Sequence, residues 1–117
     1  MKSILIVDDS DLFVKLVSVW LKDADYEYEI VDGGYDAVRA LQNKHFDMMI
    51  TDVYMPELSG PKLVDYVKNK YKKMIIVVMS VHPLEIIEKM VDIKNKYIKP
   101  TNKKEFIKII EDCFNSK

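Results

Sequence analysis

Apolar runs of strand length alternate with segments of helical period along the whole chain. Ser3–Asp8 (SILIVD) reads as a strand covered on both faces. Ser10–Ala24 follows as a helix, with Ser10 as its N-cap and Leu12, Leu16 and Trp20 four apart on one side. Tyr26–Val31 (YEYEIV) alternates with period two, as an outer strand does. Gly33–Lys44 predicts a second helix and Phe46–Asp52 a third strand. The turn-like VYMPELSG leads to Pro61, a residue suited to the first position of a helix that runs to about Asn69. Met74–Ser80 is the most apolar strand. A helix near Pro83–Val91, a strand Lys96–Lys99 and a last helix from Asn102 to about Asn115 complete the series.

Five strands alternating with five helices imply an α/β fold, a doubly wound parallel sheet joined by right-handed crossovers. No linker or repeat divides residues 1–117, so one domain is expected. The segment between Ser80 and Lys99 is short, which predicts a stubby or irregular fourth helix.

Composition narrows this little: 49% apolar and 32% charged residues describe an ordinary globular chain rather than a disordered one. The longest apolar run, Met74–Met79, is far too short to cross a bilayer, and the N-terminus lacks a signal-peptide pattern. The single cysteine, Cys113, rules out an internal disulfide and fits a reducing compartment, so a cytoplasmic protein without membrane contact is expected. Charge adds an asymmetry. Residues 1–60 carry 5 Lys/Arg against 12 Asp/Glu, and residues 61–117 carry 13 against 7, giving −7 and +6. The lysines lie scattered in amphipathic segments with little aromatic interleaving, which reads as a solvated face and not a nucleic-acid surface.

The candidate chemistry lies where strands end. In an open parallel sheet, ligands bind outside the carboxyl ends of the strands. There the first strand delivers Asp8 and Asp9, the third Asp52, the fourth Ser80 and the fifth Lys99. Two unit charges about 4 Å apart repel by roughly 4 kcal/mol at an effective dielectric of about 20, so adjacent carboxylates need an offset. A hard cation supplies one, since Mg²⁺ takes one or two carboxylates and keeps several waters. A carboxylate beside it becomes a nucleophile toward phosphorus, with an ammonium and a hydroxyl to hold the phosphoryl oxygens.

With Asp8-Asp9, the D-x-x-M-P-x-x-x-G of Asp52–Gly60, Ser80 and Lys99-Pro100 in place, the chain resembles a response-regulator receiver domain of bacterial two-component signalling, over essentially all of its residues. The resemblance implies a five-stranded sheet in the order 2-1-3-4-5, the flavodoxin-like order for which a receiver is a standard illustration. It implies Asp52 as phosphoacceptor, with Asp9, Asp52 and the backbone carbonyl of Tyr54 ligating Mg²⁺ (or Mn²⁺) and Asp8 acting through a metal-bound water. Ser80 would move to grasp the phosphoryl group and Lys99 would bind it. Met55-Pro56 and Gly60 would shape the adjoining loop. The phosphoryl donor would be a sensor histidine kinase, a histidine phosphotransfer protein or a small acyl phosphate. Such a chain is a signalling domain, catalysing only its own phosphorylation and dephosphorylation.

Some positions depart from the family pattern. Val81 stands where the family has Ala or Gly, and its branched side chain would narrow access to the phosphoryl group. Tyr54 and His82, each two residues beyond a site residue, would flank the path of attacking water; they are expected to shield the phosphoryl group, His82 alternatively positioning the water. Receivers have an aromatic three residues before the lysine, where this chain has Lys96; Tyr97 follows it, facing the other side of the strand by alternation. Either Tyr97 is a core residue without a switching role, or a bulge restores it.

Other classes fit less well. A haloacid-dehalogenase-type phosphatase needs a second Asp two residues after its nucleophile, where Tyr54 stands, and a flavodoxin's phosphate would be repelled by DDSD. The remaining rival is a receiver-fold binding scaffold that works without phosphorylation. The Met1 start and the end at the last helix suggest a stand-alone regulator of chemotaxis or phosphorelay type. Its output would be a protein contact, or a homodimer on phosphorylation, through the fourth helix, fifth strand and fifth helix; alternatively the effector belongs to a longer parent chain. That surface carries Lys89, Lys94, Lys96, Lys103, Lys104 and Lys108 and suits an acidic partner.

Overall fold

The computed structural model describes residues 1–55 and 58–116. The elements run β1 (Lys2–Val7), α1 (Asp11–Leu21), β2 (Tyr26–Val31), α2 (Gly34–Asn43), β3 (Met48–Thr51), α3 (Gly60–Lys70), β4 (Ile75–Ser80), α4 (Leu84–Met90), β5 (Lys96–Ile98) and α5 (Lys103–Asn115). All five strands are parallel and lie in the order β2-β1-β3-β4-β5. The expected α/β fold and strand order are therefore present.

Strand alternation divides the core in two. Ile4, Ile6, Met48, Ile50, Val77 and Met79 face α1 and α5, while Leu5, Val7, Met49 and Val78 face α2, α3 and α4. On the first side Phe13, Trp20 and Phe106 interlock, with ring centroids 5.3–6.5 Å apart. Each such buried apolar side chain contributes about 1.5–3 kcal/mol through burial.

The helix ends follow local chemistry. The Ser10 hydroxyl accepts from the Phe13 N–H (3.3 Å), and the Asn102 side chain accepts from the Glu105 N–H (2.8 Å). Ser59 caps α3, which begins at Gly60 with Pro61 second. α4 has only seven residues, no side-chain cap and one buried anchor, Ile87, so the expected stubby helix is found.

One helical face differs from expectation. The buried side of α1 is Phe13, Val17, Trp20 and Leu21, whereas Leu12 is 71% exposed and Leu16 half-buried. The four-residue spacing of Leu12, Leu16 and Trp20 is real, but it runs obliquely to the seam with α5, which Phe106 and Ile110 fill. Leu12 and Val19 are left on the outside, with Leu16 half-buried between them.

β5 pairs with β4 in unbroken register, Val78 with Lys96 and Met79 with Tyr97. Tyr97 packs on the α5 side, its hydroxyl 3.5 Å from Cys113 Sγ, and Lys96 donates to the Ile93 carbonyl. The ladder contains no bulge, and the two side chains face opposite ways.

Candidate functional site

The ladder itself aims the site residues. The Asp8 N–H donates to the Val31 carbonyl and the Asp52 N–H to the Val7 carbonyl, each at 3.1 Å, so both residues leave the sheet at one edge. The Lys99 N–H donates to the Ser80 carbonyl at 2.9 Å and brings β5 to the same edge.

Each buried carboxylate is then fixed by backbone donors. Asp8 Oδ1 accepts from the Ser10 N–H (2.9 Å), tying it to the start of α1. Asp52 Oδ1 accepts from the N–H groups of Val53 (2.6 Å) and Tyr54 (3.2 Å). The other oxygens share one ammonium: Lys99 Nζ lies 2.9 Å from Asp8 Oδ2 and 3.1 Å from Asp52 Oδ2, and 4.7 Å above the Phe13 ring. All three side chains are at most 10% exposed.

Burial pushes the Asp8 carboxyl above its ordinary value, against the Ser10 N–H and Lys99, which favour its charge. Burial alone would pull Lys99 down, but Asp8 and Asp52 outweigh it and hold the ammonium above its usual range. The repulsion between the two carboxylates is thus offset within the protein by Lys99.

The five strand-end residues do not all meet. Asp8, Asp52 and Lys99 touch; Asp9 is exposed, and makes no hydrogen bond or ion pair among the described residues. Ser80 is fully buried, and its hydroxyl accepts from the His82 N–H at 3.2 Å. Beside it Val81 stands 70% exposed, while the His82 ring lies against Tyr54, centroids 3.9 Å apart at 43°. Of the adjoining loop, Pro56 lies outside the described residues, and Met55 is half-buried against the α2–α3 side of the core. Gly60 meets a steric requirement: a Cβ there would fall 2.6 Å from the Asp52 carbonyl oxygen and run into the Val53 backbone.

Among the described residues no three His, Cys, Asp or Glu side chains form a ready-made metal cluster. The donor chemistry nonetheless fits a small hard cation. Asp9 lines two cavities, one shared with Val53 and Tyr54 and the other with Asp8, Asp11, Asp32 and Asp36. Mg²⁺ needs only one or two of these carboxylates, a carbonyl and water. Two features carried no plain sequence signal: the double pairing of Lys99 and the Tyr54–His82 ring contact. Spacing in the chain places these residues at one edge but does not say which of them touch.

The model of the response regulator receiver domain matches residues 4–111 of this chain. The Regulator of RpoS of Escherichia coli K12 is 32% identical over 79 residues, 68% of this chain and 23% of its own length, so this chain spans under a quarter of that relative. Among solved structures, the chemotaxis response regulator CheY4 of Vibrio cholerae has a TM-score of 0.84 and 32% identity, with 97% of this chain and 98% of that one covered. The response regulator TrrA of Thermotoga maritima, solved in complex with Mg²⁺-BeF, has a TM-score of 0.80 at 23% identity, covering 97% and 99%. That last likeness is one of fold.

Proposed function

The chain belongs to the response-regulator receiver family, and on that premise we propose that it is a phosphoacceptor switch in which Asp52 takes a phosphoryl group from a phosphohistidine. The observation that carries this reading is the ammonium of Lys99, held 3.1 Å from Asp52 Oδ2 in a nearly buried edge of the sheet. A cation held there stands close enough to stabilise phosphoryl oxygens on Asp52.

The step balances simply. The N–P bond of the donor's phosphoimidazole breaks, an O–P bond forms at the Asp52 carboxylate, and the freed imidazole nitrogen takes up a proton from solvent. Mg²⁺, or Mn²⁺, would be held by Asp9, Asp52 and the Tyr54 carbonyl, with Asp8 reaching it through water, and supplies charge neutralisation at the phosphoryl oxygens. Lys99 would exchange its contact with Asp52 for one to the phosphoryl group while keeping Asp8. The Ser80 hydroxyl, which accepts from the His82 N–H, would turn to donate to a phosphoryl oxygen. That turn breaks the bond to His82 and pulls on the segment leading to α4, the helix with a single buried anchor. Phosphorylation then shifts the population between two arrangements of the α4–β5–α5 face.

That face presents the exposed side chains of Lys89, Lys94, Lys103, Lys104 and Lys108, with Lys96 half-buried, and suits an acidic downstream protein. The exposed Leu12 and Val19, with the half-buried Leu16 between them, start at the site's edge and offer a phosphodonor an apolar landing strip. As a receiver the chain is a signalling domain and not an enzyme with a separate substrate. No helix among the described residues is long and apolar enough to cross a membrane.

Amide NMR with Mg²⁺ and beryllofluoride, a phosphoryl mimic, tests the reading. Saturable shifts at Asp8, Asp52, Ser80 and Lys99 that spread into α4 are expected, and the Asp52→Asn variant should lose them. Equal shifts in that variant would overturn the assignment of Asp52.

A further inference from the structure

A second concavity lies at the opposite pole, where the strands begin. It is formed by the end of α2, the α2–β3 connection and the α3–β4 connection, with a volume of about 760 Å³. Leu41, Phe46, Tyr71 and Met74 make its apolar floor, and Lys44, Lys72 and Lys73 stand exposed around it. β3 separates this pole from Asp52 by about 16 Å, at ~3.3 Å per residue.

The floor is built and not incidental. Phe46 is 2% exposed and carries Lys44 Nζ 5.5 Å above its ring; the Tyr71 hydroxyl donates to the Leu41 carbonyl at 3.3 Å. Only one lining carboxylate, Asp47, opposes the lysines, and it is already committed. It accepts from the Ser3 N–H (2.8 Å), the Ser3 hydroxyl (3.2 Å) and His45 Nε2 (3.1 Å). None of Lys44, Lys72 and Lys73 makes an ion pair among the described residues.

We propose that this basal groove docks an acidic peptide segment of a partner protein, an apolar side chain of the peptide resting on the half-buried Tyr71 and Met74 while its carboxylates meet Lys44, Lys72 and Lys73. Charge complementarity selects an acidic occupant, and the apolar floor selects a peptide over a nucleic acid. Base stacking needs an open aromatic face; Phe46 is closed over, and Tyr71 is half-buried against Tyr66, ring centroids 6.3 Å apart. The groove lies away from Asp52, so docking there does not compete with phosphorylation and does not rest on the reading of Asp52.

The test is titration of the full ¹⁵N-labelled chain with a polyglutamate peptide containing one central Leu-Phe pair. Shifts confined to Leu41–Asp47 and Tyr71–Met74 are expected, with weaker binding when Gly-Gly replaces the pair. Lys72→Glu combined with Lys73→Glu should weaken binding about tenfold, because each exposed pair contributes only a few-fold. Lys15→Glu with Lys22→Glu, exposed lysines of the α1 side, should leave it unchanged. Shifts centred on α5, equal loss in both double variants, or tighter binding of an oligo-dT probe at the groove would overturn the proposal.

Discussion

The rings of Tyr54 and His82 lie 3.9 Å apart, at 43°, joining the loop after β3 to the loop after β4 beside Asp52. An aromatic pair of this kind is stabilised by about 0.5–1.5 kcal/mol beyond its area. As one lid, the two rings should slow hydrolysis of an acyl phosphate on Asp52. Tyr54→Ala and His82→Ala should each speed its loss, by about 2–10-fold if the pair energy is what holds the lid shut. The double variant should be no faster than the quicker single one, a non-additivity that marks contact. Decay of the phosphorylated form, followed by mass spectrometry, gives the rates; additive effects would sink the lid. Val81→Ala should also speed decay, though less, because that side chain is mostly solvent-exposed.

Lys99 balances two buried carboxylates, and its loss leaves them facing each other. Breaking a buried pair on one side typically costs about 3–5 kcal/mol. Lys99→Ala should therefore lower denaturant stability by about 3 kcal/mol near neutral pH, and by less in acid, where Asp8 takes up a proton. A loss independent of pH would point to packing against Phe13 as the cause. In the intact protein the Lys99 contribution is fully present below the unfolded lysine value of about 10.4 and disappears as pH rises through its raised folded value.

Asp8 acts in the opposite sense. Burial raises its folded value, so the folded state holds this proton more tightly and stability falls as pH rises from the unfolded value of about 3.9 through the folded one. Asp8→Asn retains an acceptor for the Ser10 N–H and removes that penalty. It should stabilise the protein at neutral pH by an amount within about 0.5–2 kcal/mol, at a cost in Mg²⁺-dependent phosphorylation. The gain should vanish below about pH 3.9. Urea melts at several pH values would show it, and an equal gain in acid would contradict this origin.

Gly60 has no room for a methyl group, since the Asp52 carbonyl oxygen and Val53 backbone occupy its place. Gly60→Ala should destabilise by about 1–3 kcal/mol and displace the loop that supplies the Val53 and Tyr54 N–H groups to Asp52. Thermal unfolding and phosphorylation rate should both fall; an unchanged rate would mean the loop does not depend on this approach.

Tyr97 is held in the α5 face by Cys113 Sγ. That contact, followed by burial, pushes its phenol up to about 12. Tyr97→Phe should cost about 1 kcal/mol and leave phosphorylation intact. A spectrophotometric titration should show one tyrosine ionising at about pH 12, and its disappearance in the variant identifies it.

The sheet was legible because its central strands read as nearly unbroken apolar runs, and because Asp8, Asp52 and Lys99 each directly follow a strand and Ser80 ends one. α1 was less so. Nearly every turn of FVKLVSVWL offers an apolar residue to either side, and the choice of Phe13 and Val17 over Leu12 was made by Phe106 and Ile110 of the neighbouring α5. The site was legible as a set of residues at one edge but not as contacts. That Lys99, and not Asp9, is the near neighbour of Asp8 and Asp52 depends on where β5 docks against β4. The β5 ambiguity was settled by register: with Val78 opposite Lys96, Tyr97 could only face Cys113.

The decisive measurement is the intact mass of the protein after incubation with acetyl phosphate and Mg²⁺, beside Asp52→Asn. Gain of one phosphoryl group, absent in the variant and in EDTA, is the predicted result. Phosphorylation of the Asp52→Asn variant to the same extent would contradict the role of Asp52. No gain from acetyl phosphate or from a phosphohistidine donor, with Mg²⁺ binding intact, would instead make the chain a scaffold that binds without being phosphorylated.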